Sequence, residues 1–382
     1  MKIVFSKSRF LEKLTPAMGT VSNKNTIASI EGVLIETVEA GLRLSTYDMK
    51  KGTVSEMECL EVVTPGSVII NASRLSQILK VMPEDEVTLT VDDRFGATGT
   101  AGASTFSLFG LRGSDFPNLP VLMGERGFEI ECGLLRRMIG KVIHSVGEAQ
   151  ESRPMLGGAF FRIMDGTFEI VSCDSFTLSI CKKVCDIKDI GTVDSQAFEF
   201  IVPGHALNEL LRILPEGEER MNVYLTRKHA IFRLDEITFF TRLIDEDYIE
   251  YERIIPRDQT VFVTVNRERL LEGLERAGLV AEDKSQSNGR SFVCIKIEDN
   301  LLTLTSTSVS GKVYDEMECI HEGEPIEIGF NCRYLINSIR VAEGEEIRLT
   351  LKSAKQSVTI EPMEPAEDSS YFYMVLPVRM GN

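Results

Sequence analysis

The alternation of apolar and polar positions along this chain writes one unit three times. SVIINASRLSQILKVMPEDEVTLTV from Ser67, FEFIVPGHALNELLRILPEGEERMNVYLT from Phe198 and PIEIGFNCRYLINSIRVAEGEEIRLTL from Pro325 each pass through an apolar strand, a helix, an acidic turn and a second strand. In the helical part the apolar residues recur at i, i+3, i+4 and i+7: Leu75, Ile78, Leu79 and Met82 in the first copy, Leu207, Leu210, Leu211 and Leu214 in the second. That spacing draws one stripe along one face of an α-helix. The third copy keeps Leu335, Ile339 and Ala342 and breaks the stripe at Ser338. Pro or Gly in the turns PEDE, PEGEE and AEGEE stops each helix, and VTLTV, NVYL and IRLTL then alternate as half-buried strands do.

A second set precedes each copy: IVFSKSRFLEKL from Ile3, FEIECGLLRRMIGKVI from Phe128 and VFVTVNRERLLEGL from Val261, again a short strand running into an amphipathic helix. A third set, LRLSTYDMKKGTVSEMEC, FEIVSCDSFTLSICKKVC and LTLTSTSVSGKVYDEMEC, reads as a strand pair ending in Cys. Leu75, Leu207 and Leu335 are 132 and 128 residues apart. A period that long, with two helices among many strands, predicts three similar α+β domains rather than a solenoid of short units. The expected domains are residues 1–125, 126–258 and 259–382, with boundaries near Glu125 and Asp258. No Gly/Ser-rich or Pro-rich linker separates them, which predicts rigid packing and sheet continuing across the junctions.

Net charge changes the picture. It is −16 over 382 residues, which argues against a nucleic-acid partner until the charges are located. The six predicted helices, over 6–19, 72–82, 133–146, 204–214, 266–280 and 331–342, together hold +9, leaving −25 on everything else. If these helices share one surface, that surface is cationic and the remainder repels DNA. No dense Arg/Lys run, helix-turn-helix or aromatic RNA-binding signature is present, so sequence-independent phosphate contact is expected rather than base readout.

Candidate chemistry adds little. There is no GxxxxGK[ST], HExxH or GxSxG, and Gly96, Gly99 and Gly102 sit between strands rather than before a helix, so neither a nucleotide site nor an enzyme is expected. His144, His205, His229 and His321 are dispersed and read as structural or surface residues. The eight cysteines form no CxxC pair, and no His lies near Cys181 and Cys185 to complete a zinc set, so reduced thiols without metal or cofactor are expected. No apolar run is long enough to span a membrane, the start MKIVFSKSRF is too short in apolar residues for a signal peptide, and a cytoplasmic location is expected. Two rivals stand beside a DNA role: a three-domain interaction scaffold, and a nuclease using Mg²⁺ at Asp245, Glu246 and Asp247.

The whole chain resembles the bacterial DNA polymerase III beta subunit family, the DNA sliding clamps, through its strand–helix start, SDFPNLP at Ser114, FIVPGHALNELLRIL, LIDEDYIEYERIIP and the ending YMVLPVRM. The resemblance implies a DNA clamp fold, α+β with three similar domains, helices lining the inner face and sheets outside. It implies a homodimer closed head to tail into a ring around double-stranded DNA, and tethering of DNA polymerase subunits as a processivity factor. It also implies opening by an ATP-driven clamp loader and docking of these partners through short linear motifs. Matching positions for DNA contact are Lys24, Arg74, Lys80, Gln150, Arg153 and Arg212; for the dimer interface, Phe106 and Leu108 with Leu279 and Val280. The implied peptide pocket comprises Leu156, Cys173, Leu178, Ile254, Ser357, Val358, Met374, Val375, Leu376, Pro377, Val378 and Arg379. Three stretches depart from the family. Its Asp-Gly-His-Arg-Leu reads Asp174, Ser175, Phe176, Thr177, Leu178; its Phe-Pro-Asp-Tyr reads Tyr248, Ile249, Glu250, Tyr251; and its acidic residues after Asn300 give way to Thr and Ser.

Overall fold

The computed structural model describes residues 1–22, 27–122, 124, 126–185, 187–191, 198–281, 292–309, 311–364 and 368–380. The repeat supplies its six helices: α1 (Lys7–Ala17), α2 (Ala72–Val81), α3 (Cys132–Val142), α4 (Gly204–Ile213), α5 (Arg267–Ala281) and α6 (Cys332–Val341). Each follows closely on a strand, and in α1, α2, α5 and α6 a polar residue at the junction starts the turn. Ser6, Asn71, Asn266 and Asn331 accept hydrogen bonds from the backbone N–H groups of Arg9, Arg74, Arg269 and Arg333, which would otherwise have no partner.

The chain divides into two compact units, and the division passes through α3 and α4. The first comprises Met1–Arg136, Ile187–Asp194 and His205–Leu243. Its described strands form one antiparallel sheet of fourteen, from Lys188–Gly191 at one edge to Glu61–Thr64 at the other. Mid-sheet, Ile237–Arg242 of the second repeat pairs with Lys51–Met57 of the first, Phe240 opposite Gly52. A side chain at Gly52 would strike the Phe240 ring, so glycine is what lets the strands meet there. The stripes of α1 and α2 deliver Phe10, Leu14, Leu75 and Leu79 into the core under this sheet.

The second unit, Arg137–Asp186, Ser195–Gly204 and Ile244–Asn382, holds a nine-stranded and a five-stranded sheet among the described residues. Continuity recurs in it: Thr177–Val184 of the second repeat pairs with Ser369–Val375 of the third, Leu178 opposite Met374. Leu270, Leu274, Leu335 and Ile339, from α5 and α6, fill its largest core with Tyr371 and Tyr373. Ser338, the break in the third stripe, is buried there, its hydroxyl donating to Tyr334 O at 3.0 Å and lying 3.4 Å from His144 Nε2. All eight cysteines are free thiols.

Candidate peptide groove, basic helix faces and open strand edges

Within the second unit, the junction of Thr177–Val184 with Ser369–Val375 leaves a groove of about 730 Å³. Leu156, Cys173, Met374 and Leu376 line it from the sheet side, Ile249 and Ile254 from the segment around the 3-10 turn Tyr251–Arg253, and Arg153, Glu250 and Arg253 ring it with charge. Its floor rests on aromatic packing, with Phe160 stacked on Tyr248 at 5.2 Å. Burial raises the Cys173 thiol above its ordinary range, so this group is a small apolar lining residue rather than a nucleophile. An apolar lining with a few charges at the rim suits capture of a short peptide.

Two local devices hold the walls. On one side Asp174 folds back, its Oδ1 accepting from the N–H groups of Phe176 (2.9 Å) and Thr177 (2.6 Å), while Ser175 sits at φ +78°, the left-handed region that non-glycine residues seldom adopt. Phe176 O then accepts from Leu376 N–H at 2.9 Å, and its ring stacks on Tyr334 with centroids 5.8 Å apart. On the other side the buried Glu169 carboxylate receives Tyr251 Oη at 2.9 Å, Arg162 at 2.5 Å and Lys182 at 2.8 Å. A buried carboxylate needs such partners. Burial, and then this carboxylate, push the Tyr251 phenol up, so it stays a donor and anchors the turn that carries Ile254.

Of the twelve residues expected in the pocket, the groove brings together Leu156, Cys173, Ile254, Ser357, Met374 and Leu376. Val358 and Val375, opposite each other on paired strands, are turned into the core behind it, because alternate residues of a strand face opposite ways, whereas Leu178 shares the face of Cys173 and Met374 and is fully buried among them. Pro377 and Val378 leave the groove to pair with Gly329–Phe330, and Arg379 is exposed beyond them. Met155 and Arg253 line the groove without having been singled out, while Ser175, Phe176, Thr177, Ile249 and Glu250 stood out only as departures from the family pattern. Arg153, expected at DNA, lies on the groove rim and closes a tight turn by donating its N–H to Gln150 O at 3.2 Å. Gln150 is exposed beside it.

The basic helix residues sort into two groups. Arg74 and Lys80 on α2 are exposed and make no ion pair among the described residues. Arg212 on α4 is also exposed, but Glu209 holds it at 2.9 Å, and the same carboxylate reaches buried Lys51 at 3.4 Å. Lys13 and Arg136 count toward the helix charge without adding freely to a surface: Lys13 is buried 2.6 Å from Glu236, and Arg136 caps the end of α4 by donating to Leu214 O at 3.0 Å. Lys24 lies outside the described residues.

For the expected dimer contacts, Phe106 and Leu108 are half-buried on Ser104–Arg112, packed against the first core. Leu279, near the end of α5, is 84% exposed, with Val280 half-buried beside it. Asp245, Glu246 and Asp247 lie on an irregular segment, and no group of three or more potential ligands among the described residues is arranged to hold a metal ion. No helix among them is long and apolar enough to cross a membrane.

The recurring helix-backed antiparallel unit, with sheets that run on from one copy to the next, defines a clamp-type α+β protein. Models of the three domains of the DNA polymerase III beta subunit match in order: the N-terminal domain at residues 1–120, the central domain at 129–250 and the C-terminal domain at 252–379. The beta sliding clamp of Halalkalibacterium halodurans is 30% identical over 390 residues, covering 99% of this chain and 100% of the relative, and that of Bacillus subtilis is 26% identical with the same coverage. Among solved structures, the Bacillus subtilis DNA polymerase sliding clamp superposes with a TM-score of 0.90 at 25% identity over 100% of both chains. The Pseudomonas aeruginosa clamp bound to griselimycin gives 0.88 at 25%, again over 100% of both. The chain belongs to the DNA polymerase III beta subunit family.

Proposed function

We propose that this protein is a DNA sliding clamp: a non-catalytic processivity factor that closes as a homodimeric ring around duplex DNA and tethers polymerases to it. The observation that carries the reading is the match of all three domain models in order, together with full-length similarity to beta sliding clamps. The three domains run over 1–125, 126–258 and 259–382, with the helices toward the hole and the sheets outside. The clamp acts in the cytoplasm.

The work is topological. A closed ring cannot leave circular DNA by losing contacts, and weak phosphate contacts let it translate. Arg74 and Lys80 are the best placed of the expected DNA residues, being exposed and without an ion pair among the described residues; Arg212, Arg153 and Lys24 add to a diffuse cationic lining, and Gln150 adds a neutral hydrogen-bonding group. A polymerase held by a short linear motif in the groove remains at high effective concentration near its template. The same groove serves the ATP-driven loader that opens the ring.

Primer extension on a loader-dependent circular template tests the tether. Ile254→Arg places a charge in the apolar groove and should remove most of the stimulation while the protein keeps its native mass. Full stimulation by that variant would contradict the groove assignment.

A further inference from the structure

Among the strand edges left open in the described residues, one in each compact unit bears on the seam. On Ser104–Arg112, residues 104–109 pair on one side with Gly96–Ala101, and on the other side only residues 110–112 find a partner, in Val68–Ile70. In the second unit Gly311–Glu318 is the last strand of the five-stranded sheet, bonded on one side to Leu301–Ser308. The first edge, STFSLF, holds no Lys, Arg, Asp, Glu or Pro. An uncharged, flat edge of that kind is a template for association unless something covers it.

Alternation splits this edge into two faces. Phe106 and Leu108 turn toward the core, whereas Phe109 turns away and is 97% exposed. Its neighbour across the hairpin is Gly96, so no cross-strand side chain lies beside the ring. On the other edge Val313 and Asp315 are half-buried, while Lys312, Tyr314 and Glu316 point outward and Tyr314 is 57% exposed. In both units the helices pack on the core face, so a sheet continued from one edge to the other, helices on one side, puts both rings on the opposite side. An antiparallel register with Phe109 facing Tyr314 also sets Ser107 against Glu316 and Leu108 against Asp315. The first edge offers no charge to pair with Lys312 or Glu316. What the two outer faces share is an aromatic ring.

Building on the ring dimer proposed above, we infer that each seam between subunits is fastened on its outer face by Phe109 of one copy against Tyr314 of the second copy, an aromatic rather than an ionic contact. Because the two edges differ, each copy contributes one edge to each seam, and two copies close with two such seams. Directly opposite residues on paired strands come within contact, and aromatic pairs gain beyond the area they bury.

Analytical ultracentrifugation over a dilution series, at about 0.1 M and 1 M NaCl, gives the test. The dimer constant should change less than about threefold with salt, since the uncharged first edge leaves no ion pair across the seam to screen. Phe109→Ala and Tyr314→Ala should each weaken the dimer about tenfold or more, with the double variant weaker than either single by much less than the product of the two effects. Val121→Ala, removing another exposed apolar side chain, should leave it unchanged. Both side chains are exposed in the single chain, so neither change disturbs a core. A dimer unaffected by the two substitutions, or one that weakens more than tenfold at high salt, overturns the aromatic seam while leaving the ring in place. A wild-type chain that stays monomeric at every concentration overturns the ring and the seam together.

Discussion

His144 ties chemistry to stability at the scale of single residues. Its Nε2 lies 3.2 Å from Ser179 Oγ and 3.4 Å from Ser338 Oγ, and its Nδ1 is enclosed with no hydrogen-bond partner among the described residues. Burial pushes the imidazole down from 6.5 to about 4. The unfolded chain therefore takes up this proton first: the contribution is complete above pH 6.5 and is lost as the pH falls toward 4, by about 3 kcal/mol at most. His144→Gln should flatten that slope, so that urea unfolding at pH 7 and pH 5 gives midpoints closer together than in the wild type. An equal separation in both proteins would show that His144 does not titrate in this way. The same pair marks what local sequence hides. Ser338 reads as a flaw in an apolar stripe because its partner lies 194 positions away, and only folding shows that the hydroxyl faces an imidazole instead of a leucine. Phe176 is the converse: the departure was visible, but its stacking on Tyr334 depends on Ser175 holding a left-handed backbone that no periodicity announces.

At the scale of elements, the helices were legible because each signal is local. Residues 72–82 were expected and Ala72–Val81 form, with Asn71 in front as the cap. Residues 133–146 were expected and α3 ends at Val142, the remainder tightening into a 3-10 turn at Ile143–Ser145. Asn71→Ala should cost about 1 kcal/mol in chemical denaturation, the usual value of an N-cap, and no loss would mean that the hydrogen bond to Arg74 contributes nothing. Strand order was not legible, because alternation gives a strand its faces but not its neighbour; nothing local pairs Ile237–Arg242 with Lys51–Met57. The groove inherits this limit. Its residues were found through family resemblance, yet Val358 and Val375 face the core and Met374 the groove by a parity that only the strand register decides. The turn Tyr251–Arg253 should matter as a unit. Tyr251→Phe removes the hydroxyl held by Glu169 and should cost about 1–2 kcal/mol while lowering the affinity of a groove-binding peptide. Unchanged peptide affinity would separate the turn from the groove.

For the whole molecule, the repeat is the feature that organises everything else. The units defined by contact do not follow it: sheet passes from the first repeat into the second and from the second into the third, so the central repeat is shared between the two compact units. Charge is segregated in the same spirit, with basic residues on the exposed faces of helices whose opposite faces carry the apolar stripes. The surface is nonetheless less cationic than the helix count of +9 suggests, because Lys13, Arg136 and Arg212 are held by carboxylates or carbonyls nearby. What remains suits weak, sequence-independent contact, which permits movement along duplex only if topology supplies the retention. The decisive measurement is therefore the half-life of the loaded protein on a nicked circular duplex before and after a single restriction cut. The account predicts long retention on the circle and loss of the protein from the free ends once the DNA is linear. Equal retention on both forms would contradict it.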